Sequence, residues 1–148
     1  MLSHANEVQI EQNIVNIPSF PGMIILKLIA WSDRPEDRDS DLKDILLIIQ
    51  KSYDLNWDEI VESHYDLLDT ENFDELMISA QLLGRKAANI IGGFEELQER
   101  IYTVLEENLK EVEKSVIGIE WARRLNKDVH YAQKILNYFL KGLKDIRE

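Results

Sequence analysis

The sequence contains no cysteine. Disulfides, zinc–thiolate sites, iron–sulfur clusters and cysteine nucleophiles are excluded together, and a stapled secreted scaffold is disfavoured with them. Basic residues are scarce at the start. Lys27 is the only one before position 34, so no signal-peptide charge pattern opens the chain. Long apolar runs are missing as well. The longest, Met23 to Trp31, spans nine residues, contains Lys27 and is too short to cross a bilayer. No serine sits in a G-x-S-x-G setting, and no histidine pair has H-x-x-x-H spacing. His4, His64 and His130 lie far apart, the last two beside Tyr65 and Tyr131, and read as surface or half-buried residues. No glycine-rich phosphate loop is present. Gly92-Gly93 is followed by Phe-Glu-Glu, whose carboxylates would repel phosphate from a helix start.

What is present is enough for one domain. The chain has 148 residues, of which 45% are hydrophobic, so a single domain over 1–148 can bury a real core. Twenty-eight acidic against 17 basic residues leave a net charge of −11, which argues against a general phosphate-backbone binder. A soluble, cytoplasmic protein without a membrane partner is expected. The charge is uneven: Ile119 to Glu148 carries seven basic and four acidic residues, so this tail is +3 and the remainder −14. The acidic excess concentrates between Asp33 and Glu75. The basic end reads as a solvated lysine-bearing helix face, with contact to an anionic partner as the sharper alternative.

Residues Glu7 to Ile17 alternate apolar and polar with period two, which predicts an extended segment, at most a hairpin. Pro18-Ser19-Phe20-Pro21-Gly22 ends it and starts a helix capped by Ser19, with Pro21 in its first turn. That helix, about Phe20 to Trp31, is apolar on nearly every side and should be buried on most faces. After the polar loop Ser32–Ser40, a second helix is expected from Asp41 to Tyr53, capped by Ser40 or Asp41, with an acidic first turn. Apolar spacing predicts further helices at about Trp57–Asp66, Phe73–Ile91, Leu97–Val112, and from Asn126 or Asp128 to about Leu143. The expected fold is mainly α: an irregular bundle of about six helices over 19–148, preceded by a short β-strand or hairpin within 1–18. A lone strand must pair with something. The first two helices should form a hairpin around Leu26, Ile29, Leu42, Ile45, Leu46 and Ile49. Trp31, Trp57 and Trp121 read as core or partner-facing anchors.

Two features could carry chemistry. Asp41 and Asp44, three apart in a helical first turn, share a face, and Asp33, Asp37 and Asp39 precede them. Hard cations such as Mg²⁺ want such oxygens, though the same residues serve a helix dipole equally well. Lys27 is the single charge on an apolar helix. It must snorkel, pair with an acid or face a polar cavity, and Asp41 and Asp44 are its nearest candidates.

These residues carry a resemblance. The runs I-P-S-F-P-G-M-I-I-L-K-L-I-A-W-S-D-R and R-D-S-D-L-K-D-I, followed by Ala80-Gln81-Leu82-Leu83-Gly84-Arg85, resemble the later part of AbiEii-type nucleotidyltransferases. These are toxins of bacterial toxin–antitoxin and abortive-infection systems within the DNA-polymerase-β-like superfamily. The resemblance covers about Ile14 to Ile91. It rests on the order of Pro18-Ser19, Lys27, Ala30-Trp31, Arg34 or Arg38, and Asp41–Ile45. It implies that Lys27 reaches nucleotide phosphates, with Arg38 a further nucleotide contact, and that Asp44, with Asp41 as a weaker candidate, supports the active site. The family's catalytic centre is a G-S motif followed by paired metal-binding aspartates on a sheet. This sequence has no Gly-Ser dipeptide, and although Asp39-Ser40-Asp41 is a literal D-x-D, it follows the lysine, lies in the loop before the helix and is not on a strand.

The resemblance therefore implies the helical C-terminal portion of such an enzyme, inactive alone. Mg²⁺, nucleotide and an RNA acceptor such as tRNA would come only with a catalytic half. An antitoxin is a further implied partner. The alternative is a stand-alone, non-enzymatic helical module. It would pair through the Glu7–Ile17 strand with itself or with a separate nucleotidyltransferase half. An acidic metal site at Asp39, Asp41 and Asp44 is the third reading.

Overall fold

The computed structural model describes residues 5–10, 13–68 and 73–145, with side chains described from residue 19 onward. Two short strands come first. Ala5–Ile10 (β1) and Asn13–Pro18 (β2) run antiparallel, with Val8 opposite Val15 and Glu7 opposite Asn16. Pro18 then ends the ladder, and Pro21, at a position where no intrahelical N–H is needed, lets Phe20–Asp33 (α1) begin. Ser19 occupies the N-cap backbone position, but its side chain makes no capping hydrogen bond.

The helical part follows as Asp39–Leu55 (α2), Trp57–Ser63 (α3), a 3-10 turn at Tyr65–Leu68, Glu75–Ile91 (α4), Glu95–Lys110 (α5), a 3-10 turn at Val112–Lys114, Val116–Leu125 (α6) and Val129–Lys144 (α7). The protein is mainly α, with seven α-helices among the described residues rather than about six. The added element is α6. Its ten residues contain Gly118 and offer too short a periodic run to stand out, yet Ser115 caps it by accepting from the Gly118 N–H, and left-handed Asn126 ends it.

The expected cap of α2 is corrected too. The helix starts two residues early, Arg38 holds the N-cap position, and no side chain caps it. Ser40 is exposed and Asp41 is turned inward to other partners. Asp128 caps α7 through the Tyr131 N–H, and Asp74 caps α4 through the N–H groups of Leu76 and Met77. The α4–α5 junction uses Gly93 at φ +89°, a conformation that glycine adopts without penalty.

Helices α1, α2, α4, α5, α6 and α7 share one core, which includes Ile24, Leu28, Ile45, Leu83, Trp121 and Phe139. Tyr53, Ile60, Leu67, Ile78 and Leu82 form a smaller cluster under α3. The α1–α2 pair forms with Leu42, Ile45, Leu46 and Ile49 buried as expected, but Leu26 is 55% exposed. The inward stripe of α1 is Ile24, Ile25, Leu28 and Trp31, at helical spacing. A helix apolar on nearly all sides carries no amphipathic signal to say which stripe turns inward. For the same reason the expectation of burial on most faces fails at Phe20 and Leu26. Among the described residues no helix is long and apolar enough to cross a membrane.

Candidate functional site

Lys27, the one basic residue of α1, does what its surroundings demand. Lys27 Nζ donates to Asp44 Oδ2 at 3.0 Å and to Asp41 Oδ1 at 3.5 Å. Asp41 and Asp44 stand three apart in the first turns of α2, so both face α1. Arg38 closes the group. Its Nε donates to Asp41 Oδ2 at 2.6 Å and its Nη2 to Asp41 Oδ1 at 3.1 Å. Asp41 is almost fully buried and holds two cations at once, with Arg38 bound through both carboxylate oxygens. Those hydrogen bonds, with the attraction of the same carboxylate, raise the Arg38 pKa above its ordinary value.

All four candidates, Lys27, Arg38, Asp41 and Asp44, therefore come together. Their formal charges cancel, and the Asp41 end is closed by its partners. The Asp44 end is open: this carboxylate is 37% exposed and Lys27 is 22% exposed. Both border a shallow groove of about 260 Å³, floored by Phe20, Met23, Leu47 and Ile48 and flanked by Lys51. The arrangement presents an ammonium, held by carboxylates, beside an apolar surface.

The other acids of this region go elsewhere. Asp33 is bound by Arg100 and Asp37 lies beside Arg34. Asp39 is exposed on the first residue of α2. The metal reading of Asp39, Asp41 and Asp44 is thereby corrected. No group of acids or histidines suited to a metal ion is found among the described residues, and both Asp41 oxygens are already engaged. Of the histidines, His130 is exposed, His64 Nδ1 lies 3.0 Å from Arg85, and His4 lies outside the described residues.

A second polar centre was not foreseen. Arg85, 8% exposed, binds Asp66 through both terminal nitrogens at 3.1 and 2.6 Å, and Asp145 through Nε at 2.7 Å. Gln81 adds a bond to the same Asp145 oxygen at 2.9 Å. Burial works to lower the Arg85 pKa, but hydrogen bonds and charge from Asp66 and Asp145 outweigh it, so the pKa is raised. Burial likewise opposes ionisation of Asp145. Gln81, Arg85 and Lys141 overcome that and hold its pKa below the usual value. The signal was available. Arg85 interrupts an apolar run on α4, as Lys27 interrupts one on α1, but its partners are 19 and 60 residues away. Nearby, the Tyr131 hydroxyl donates to Asp74 at 2.6 Å. Burial first, then that carboxylate, pushes its pKa far above the ordinary tyrosine range.

The tryptophans divide. Trp31 is buried, Trp121 is buried with Nε1 donating to the Leu42 carbonyl at 2.9 Å, and Trp57 is exposed. No family model matches the chain, and no curated protein or solved structure matches it either.

Proposed function

We propose that this chain is the helical, substrate-contacting portion of an AbiEii-like nucleotidyltransferase and does not transfer nucleotides alone. One observation supports the reading above others: Lys27, Asp44, Asp41 and Arg38 converge across the α1–α2 pair with the ammonium beside an open groove. In this role Lys27 contacts the nucleotide phosphates. Asp44 and Asp41 position it, and Arg38 fixes Asp41. Nucleotidyl transfer builds negative charge on a triphosphate, and a placed ammonium stabilises it. The aspartates here do not fit Mg²⁺, so the metal would be held by a separate catalytic half carrying G-S and D-x-D motifs. An RNA acceptor and an antitoxin belong to the same proposal.

The test has two arms. Reading the coding DNA upstream of the Met1 codon should reveal an open frame encoding G-S and D-x-D. An in-frame stop directly before Met1 overturns the reading as part of one enzyme. In the second arm, purified chain with tRNA, Mg²⁺ and each nucleoside triphosphate should yield no product, and turnover would overturn the claimed inactivity.

A second reading has its own support. The β1–β2 ribbon leaves each strand with an outer edge that no third strand covers among the described residues. As a non-enzymatic module the protein would add strands there, from a second copy or from a separate nucleotidyltransferase half. Light scattering after size exclusion should then show a dimer or a complex. A monomer at every concentration, with no binding to the half-enzyme, counts against it.

A further inference from the structure

From Ser52 to Gly84 the sequence carries nine carboxylates and neither lysine nor arginine. The same stretch also exposes aromatic surface. Trp57 is 43% and Phe73 53% exposed, and both pack on Tyr53 beneath them, with ring centroids 5.7 and 6.4 Å away. Val61, one helical turn beyond Trp57 on α3, is exposed too.

Some of the surrounding acids are spoken for. Lys86 binds Glu59, Arg85 binds Asp66, and Asp74 caps α4. Asp54, Asp58, Glu62 and Glu75 have no ion pair among the described residues. Their field reaches the aromatics: burial, then Glu75 and Asp54, raises the Tyr53 pKa.

We propose that the Tyr53–Trp57–Phe73 surface is a docking site for a basic, amphipathic helical segment of another protein. An aromatic ledge takes the apolar face of such a segment, and the unpaired carboxylates around it take lysines and arginines. Charge complementarity selects this occupant. Nucleic acid and anionic membranes are repelled by the same carboxylates. A second copy would have to offer a positively charged apolar face. The basic stripe of α7, Lys134 and Lys141, is flanked by tyrosines that are half-buried in their own core. This site is on α3 and the end of α2, away from the Lys27 group, and does not depend on the nucleotidyltransferase reading.

The probe is a synthetic leucine–lysine peptide of about 14 residues with its leucines at helical spacing. The control has the same composition shuffled to abolish the apolar face. Peptide is titrated into ¹⁵N-labelled protein. The amphipathic peptide should bind in the micromolar range and shift resonances of residues 53–66 and 73–77. The Trp57→Ser/Phe73→Ser variant should weaken it about tenfold. Equal binding of the shuffled peptide, unchanged affinity in that variant, or shifts centred elsewhere would overturn the proposal. A dimer that this variant abolishes would overturn the choice of occupant. Should the variant lose its fold by circular dichroism, Asp58→Asn/Glu62→Gln supplies the second readout. Its affinity should fall and its salt dependence flatten; unchanged salt dependence would again overturn the proposal.

Discussion

A β-carbon placed on Gly84 would stand 2.9 Å from the Cα of Gly142 and 2.2 Å from the Phe139 carbonyl oxygen. The reverse substitution is as crowded, since a β-carbon on Gly142 would lie 2.1 Å from the Gln81 carbonyl oxygen. Helices α4 and α7 therefore meet backbone to backbone, and the gap admits only hydrogen. Alanine ordinarily stabilises a helix interior by about 1 kcal/mol over glycine. Here the clash is with main chain, which cannot rotate aside. Gly84→Ala and Gly142→Ala should each cost about 2–3 kcal/mol net in urea unfolding.

Asp41 and Asp44 look alike in sequence and should behave differently. Asp41 is buried between Lys27 and Arg38, whereas Asp44 is partly solvated. Removing Asp41 leaves Lys27 to Asp44 alone and returns the half-exposed Arg38 to water, at the loss of three hydrogen bonds. Asp41→Ala should cost about 1–2 kcal/mol and Asp44→Ala less than about 1 kcal/mol by chemical denaturation. Equal losses would show that the buried carboxylate is not the keystone of the group.

The legible part of this site follows from one argument. A lone lysine on an apolar helix must find acids, and the following helix begins with two on one face. The sequence could not show that Arg38 would clasp Asp41 from its N-cap position, because the expected cap was a side chain of the helix itself. Nor could it show that Leu26 would face out, since α1 has no polar stripe to contrast with its apolar ones. The Arg85–Asp145 bond joins residues 60 apart, beyond the reach of periodicity. Helix α6 is too short for its periodicity to stand out, yet it supplies Trp121, one of the largest buried side chains.

Asp145 predicts an acid-sensitive contribution to stability. Its folded pKa lies below the unfolded one, so its contribution is full above an unfolded value of about 3.9 and fades as pH falls through the lowered folded value. Asp145→Asn should reduce stability at neutral pH and flatten the acid limb of the stability–pH curve. An acid limb of unchanged steepness would mean that Asp145 is not responsible for it.

Trp121→Phe removes the donor to the Leu42 carbonyl and leaves space within the shared core. The expected cost is about 2 kcal/mol in thermal or urea unfolding. A smaller loss at Trp57→Phe, on the exposed side of α3, provides the internal comparison.

The hydrogen bond from Trp121 to Leu42 also makes the protein its own optical instrument. Leu42 lies between Asp41 and Asp44, so the buried indole is fastened to the turn that holds Lys27. Trp57 instead stands in solvent on the acidic aromatic surface. With Trp31 and Trp57 replaced by phenylalanine, Trp121 emission would report any ligand that rearranges the α1–α2 group. With Trp31 and Trp121 replaced, Trp57 would report a helix settling on α3. Occupancy of the two surfaces could thus be followed separately by colour, without attaching a dye.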